Sequence, residues 1–144
     1  MARLSKGAAK LREQMNVRFP KRDTRSDGWI GDPAHSSRVS DHNPDRNGIV
    51  HAIDLDADFG DPKKDMAQVL AEQLAAHARG GSKSGQRVKY VIYNRQIWSA
   101  NSGWKPRRYT GSNPHTSHVH VSVTTASDTN GAAWPLPIFR KAKP

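Results

Sequence analysis

The alternation of apolar and polar positions changes period several times along the chain, and each change predicts an element. Leu4, Ala8, Leu11 and Met15 recur at helical spacing with Arg, Lys and Glu between them, which predicts a short amphipathic packing helix over 4–16. Pro20 ends any continuation. Residues 20–47 lose periodicity and are rich in Asp, Ser, Gly, Arg and Pro. They read as an ordered, functional loop, pinned to the core by Trp29 and Ile30. Over 49–55 the period is two, with Ile49, His51, Ile53 and Leu55 on one face and Val50, Ala52, Asp54 and Asp56 on the other. Met66, Val69, Leu70 and Leu74 then make the stripe of a helix over 63–79, supported by Ala71, Ala75, Ala76 and Ala78. Gly80 to Gly85 is a flexible connector. Residues 87–93 and 96–100 read as a hairpin turning near Asn94 and Arg95. Over 116–124, Val119, Val121 and Val123 alternate with His118, His120 and Ser122, so the valines face a core and the histidines share the other face. Trp134 to Phe139 is expected to fold back on the core, ahead of a basic tail over 140–144.

These elements give an α+β domain, a small antiparallel sheet of about four strands with flanking helices. A chain of 144 residues suits a single domain, 1–144, that needs no disulfide to fold. There are no cysteines, which excludes thiol catalysis, Cys-ligated zinc and a disulfide framework. A metal must then be held by His and Asp, since Glu13 and Glu72 are the only glutamates. The net charge of +10 favours a polyanionic partner: nucleic acid, an anionic cell-wall polymer or a membrane surface. The N-terminus has no continuous apolar core of a signal peptide, and no stretch is long enough to span a bilayer.

The candidate chemistry gathers in two places. His115, His118 and His120 fall within six residues. Two histidines at i and i+2 on a strand can share a metal, or one can bind it while the other moves protons. Upstream, His42 precedes a turn-rich insert and Asp54 follows on a strand. His, carboxylate and His, with one position left to water, is a ligand set compatible with catalytic zinc. The basic aromatic loop over 103–111 reads as a wall of a substrate groove, with Arg107, Arg108 and Tyr109 available to peptide carboxylates or a developing oxyanion.

Ser40-x-His42, then Gly48 and Ala52-Ile53-Asp54, then His118-x-His120 together resemble the signature of zinc peptidases of bacterial cell walls. That superfamily comprises the D-Ala-D-Ala carboxypeptidases, the L-alanyl-D-glutamate endopeptidases of phage lysins and the lysostaphin-type enzymes. The resemblance covers roughly residues 25 to 124. It implies a Hedgehog/D-Ala-D-Ala-peptidase-like zinc fold, with zinc held by His42, Asp54 and His120. Its carboxypeptidases place a glutamate base three residues before the last ligand, where this chain has Ser117. The chain resembles instead the branch in which the first histidine of His-x-His serves, which implies that His118 is the catalytic base or transition-state stabiliser, with His115 a candidate partner in proton transfer. Ser40 and Arg38 lie just before His42; in the resembled carboxypeptidases an arginine upstream of this motif holds a substrate carboxylate, and Arg38 is one possible match and Arg25 another, between which spacing does not choose. Asp56 and Ser122 are candidate acceptors for the second N–H of a ligand histidine. Compact relatives place six residues between the first histidine and the aspartate, whereas this chain has eleven, 43–53. His51 points away from the metal face and is read as structural or exposed.

The expected function is hydrolysis of a peptide bond in peptidoglycan by a monomeric phage endolysin, made in the host cytoplasm and released through a holin pore. Two other classes compete. Asp41-His42-Asn43-Pro44 superficially matches the Asp-His-x-x-Pro of His-Asn-His nucleases, and the charge suits DNA; those folds, however, carry the later metal histidine on a helix, and no nucleic-acid partner is expected here. The third class is a non-catalytic zinc or wall-binding module.

Overall fold

The structure, a computed structural model, describes residues 2–29, 41–61, 64–111 and 115–140. The elements are, in order, β1 (Arg3–Leu4), α1 (Lys6–Arg18), β2 (Ile49–Val50), β3 (Ala52–Asp56), α2 (Met66–Arg79), β4 (Val88–Tyr93), β5 (Gln96–Ser99), β6 (Arg107–Arg108) and β7 (His118–Val123). Strands β3, β7, β4, β5 and β6 form one antiparallel sheet in that spatial order, and β1 and β2 form a separate parallel pair. The architecture is α+β, as the periodicity predicts. The sheet has five strands rather than about four, because Arg107 and Arg108, read as loop, pair with Ile97 and Gln96.

Local chemistry explains the shifted boundaries. Leu4 belongs to β1 rather than to the first helix, since the Arg3 and Ser5 amides bond the Gly48 and Val50 carbonyls; α1 starts only after Ser5, whose hydroxyl accepts from the Ala8 amide. Asp65 caps α2 in the same way through the Gln68 amide, so that helix begins at Met66 rather than at 63. The strand expected over 49–55 is broken at His51, whose amide turns aside to the Asp41 carbonyl. Residues 49–50 therefore join β1, and 52–56 join the main sheet.

The core lies between the sheet and the two helices. Val119, Val121 and Val123 on β7, Ile53 and Leu55 on β3, and Val91 on β4 meet Leu70, Leu74, Ala71 and Ala75 of α2 and Leu11 and Met15 of α1. Each such valine or leucine, fully buried, contributes on the order of 1.5–3 kcal/mol. Trp134, Leu136 and Ile138 are buried, as expected of the folded-back segment. That segment is fastened by Arg87, which is 0% exposed. Its guanidinium donates to the Ser84, Asn130 and Ala132 carbonyls and lies 3.7 Å from the Trp134 ring.

One irregularity decides what faces the opposite side of the sheet. Val88 pairs with Val123, but Tyr90 pairs with Ser122, so a bulge sits at Lys89. Without it, Val88 and Tyr90 would share a face. With it, Val88 packs in the core while Tyr90 and Ile92 turn to the face that carries Ser122 and His120. Among the described residues no helix is long and apolar enough to cross a membrane.

Candidate metal centre

The site is built on the face of β3, β7 and β4 away from the helices. Asp54 on β3 is the register partner of His120 on β7, and Asp56 is the partner of His118. Strand alternation therefore places one carboxylate opposite each histidine. The histidine strand is interior to the sheet, between β3 and β4. His42 arrives from the loop. Gly28 forms an antiparallel bridge to Asp54 on the outer side of β3, and the Trp29 carbonyl lies 3.2 Å from His42 Nδ1.

Three donor atoms converge. His120 Nδ1 is 3.0 Å from Asp54 Oδ1, His42 Nε2 is 3.3 Å from Asp54 Oδ2, and the two imidazole nitrogens are 3.2 Å apart. Each ring is held by its other nitrogen, His42 through Nδ1–H to the Trp29 carbonyl and His120 through Nε2–H to Ser122 Oγ at 2.8 Å. Both cluster-facing nitrogens then present lone pairs to each other and to a carboxylate, an arrangement that calls for a cation. Without a metal, protons meet that demand. Burial pulls the His42 pKa down, but the hydrogen bond and charge of Asp54 outweigh it, and the pKa ends above its ordinary value. Burial pushes the Asp54 carboxyl up, but the hydrogen bonds of His120 and His42 hold it well below the usual carboxylate range.

His118 stands beside this set, with Nε2 3.6 Å from Asp54 Oδ2 and Nδ1 3.3 Å from Ser117 Oγ. His115, buried and with a left-handed φ of 56°, packs against it. Its ring centre is 5.1 Å from that of His118, 5.4 Å from His120 and 5.5 Å from Tyr109. An open cleft of about 590 Å³, lined in part by Asp56, Asp58, Lys64 and Ser117, reaches the residue before His118.

The fold thus brings together His42, Asp54, His115, His118, His120 and Tyr109. Arg38 and Ser40 lie outside the described residues, as does Ile30, while Trp29 packs against the core. Arg25, the other candidate arginine, is exposed and pairs with Asp23 at 2.7 Å. Of the two candidate acceptors, Ser122 takes the His120 N–H. Asp56 does not, because its carboxylate accepts from the Ser26 and Asp58 amides. His51, read as structural or exposed, is largely covered and meets Asp128 at 2.6 Å.

Tyr90 is the residue that sequence reasoning missed. Its ring stacks on His120, with centres 5.5 Å apart and planes 17° apart, and burial raises its phenol above the ordinary value. The only signal was its place in a strand next to the histidine strand, and the bulge at Lys89 hid which face it would take. Compared with protein-family models, curated proteins and solved structures, the chain matches none of them.

Proposed function

We propose that the chain is a zinc peptidase that hydrolyses peptide bonds in the stem or cross-link peptides of bacterial peptidoglycan, in the manner of a phage endolysin and with a Hedgehog/D-Ala-D-Ala-peptidase-like zinc fold. The observation that carries the reading is the convergence of His42 Nε2, Asp54 and His120 Nδ1 at 3.0–3.3 Å. Tetrahedral zinc with ligands at about 2.0–2.1 Å has ligand–ligand edges of roughly 3.3 Å, so the donor set fits the ion. His42, Asp54 and His120 would hold it, and it would supply Lewis-acid polarisation of a carbonyl and a water of lowered pKa.

The chain's own groups cover the remaining needs. His118, beside the ligand set and without a glutamate nearby in sequence, accepts a proton and returns it to the leaving amine. His115 packs against it and fixes its position. Tyr109, in ring contact with His115, and the exposed arginines of β6 are the groups assigned to substrate contact. His118 and His120 stand on a strand, which favours this reading over the nuclease. The net charge of +10 suits an anionic wall.

The test uses tag-free protein on purified walls, with chelator, with zinc restored, and with supercoiled plasmid in parallel. Wall clearing that the chelator abolishes and zinc restores is expected, with mass spectrometry of the released fragments naming the bond. Plasmid cleavage without wall release would favour the nuclease. Zinc binding with neither activity would make the chain a binding module.

A further inference from the structure

The segment between His42 and Asp54, together with Asp128 after β7, carries a second set of donors that the proposed reaction does not use. Asp45, in the turn before β2, His51, at the break between β2 and β3, and Asp128, in the turn after the 3-10 helix Thr125–Ser127, each offer a ligand atom within 4.8 Å of the others. His51 Nε2 is 2.6 Å from Asp128 Oδ1, and their side chains are only 13% and 22% exposed. Asp45 Oδ1 accepts from the Asn47 and Ile49 amides at 2.8 and 3.0 Å, which fixes the carboxylate in place. Among the described residues no hydrogen bond reaches its Oδ2.

We propose that Asp45, His51 and Asp128 form a second divalent-metal site, structural in role and suited to zinc. The His51–Asp128 contact engages two of the three residues, while the amides of Ile49 and Asn47 hold the Asp45 carboxylate in its charged form beside them. Two carboxylates and an imidazole held this close offer a divalent cation a ready set of donors. One imidazole and two carboxylates suit a first-row divalent ion, zinc included. Its ligands come from three separate segments, so an ion there closes the turn over 45–48 onto the sheet and onto the chain after β7. That turn begins three residues after His42, and His51 lies three residues before Asp54. The second ion would therefore hold both ends of the segment that supplies two ligands of the first, while sharing no donor with it.

The experiment is zinc stoichiometry on tag-free protein, stripped with chelator, dialysed against zinc chloride alone and measured by mass spectrometry of the metal. The parent should take two equivalents. Asp128→Asn and Asp45→Asn should each take one, His120→Ala one, and the double variant His120→Ala/Asp128→Asn none. Asp128→Asn keeps an acceptor for His51, and circular dichroism checks that each variant is folded. As a second measurement, zinc should raise the Tm of His120→Ala and leave that of the double variant unmoved. Parent stoichiometry retained in both Asp45→Asn and Asp128→Asn overturns the proposal, as does a parent that takes one equivalent lost entirely in His120→Ala. If instead His120→Ala keeps both equivalents while Asp128→Asn loses one, the second site stands and the reading of the first fails.

Discussion

Asp54 and His120 face each other across the β3–β7 ladder as direct register partners, with His120 Nδ1 3.0 Å from Asp54 Oδ1. Two residues along, the same ladder sets Asp56 opposite His118. The two histidines thus share a face but not the same surroundings, since the Asp56 carboxylate is occupied by backbone amides and Asp54 lies nearer His120 than His118; the proposed function gives them different roles. His120→Ala should lose both zinc and activity, because an open three-ligand site depends on each donor. His118→Ala should keep zinc and lose turnover by about 10²–10⁴-fold, the usual worth of a positioned acid–base group. Metal content and turnover on the two variants side by side decide this; the opposite pattern would reverse the two roles.

Ser122 and Tyr90 set the orientation of the His120 ring, one by accepting its Nε2–H and the other by stacking on its face. Ser122→Ala should weaken zinc binding by about 10–100-fold, as expected when the group orienting a ligand is removed. Tyr90→Phe keeps the stack and should bind zinc nearly as the parent does, while Tyr90→Ala should not. Competition with a chromophoric chelator measures all three. Equal affinity in Tyr90→Phe and Tyr90→Ala would remove the ring from the account.

Much of this site was legible in the sequence because strand period alone fixes which residues share a face. Val119, Val121 and Val123 could go only to the core, and that left His118, His120 and Ser122 together. The loop that delivers His42 was recognisable by composition, though not its anchorage through the Gly28–Asp54 bridge, which rests on backbone bonds that no side chain announces. Asp56 misled for a related reason: its residue type allowed it to serve a histidine, but nearby amides reach it first. The bulge at Lys89 changes the facing of Tyr90 by one unpaired residue, and a periodic reading of Val88 to Ile92 cannot detect it. His51 lay on the face assigned away from the metal, and its partner Asp128 is 77 residues later, a distance over which no local pattern carries information.

Stability should fall on mild acidification through His77. Burial, then the charge of Arg87, depress its pKa below the ordinary value of about 6.5. The same Ser84 hydroxyl accepts from Arg87 and therefore donates to His77 Nε2, which must be neutral to receive it. Between the folded and unfolded pKa values the unfolded chain binds more protons, so stability rises with pH there. The contribution is present above about pH 6.5 and is lost as pH falls below it. Tm measured from pH 8 to pH 5 should drop more for the parent than for His77→Gln, which cannot titrate. Parallel curves for the two proteins would rule this contribution out.

The basic surface makes a separate prediction about where the protein works. Arg107 and Arg108 are exposed on β6, the strand at the end of the sheet, and the chain as a whole carries +10. If this charge concentrates the protein on anionic walls, its pull must weaken as salt shortens the screening length from about 10 Å at 0.1 M to about 3 Å at 1 M. The chemistry proposed at His118 would take place among partly buried groups and would be screened far less. Release from intact walls should therefore fall steeply across that range, whereas cleavage of a small soluble muropeptide should change little. The two rates are measured on one preparation at matched pH and zinc. Parallel loss on both substrates would place the salt effect in the site itself and leave the surface charge without a role in anchoring.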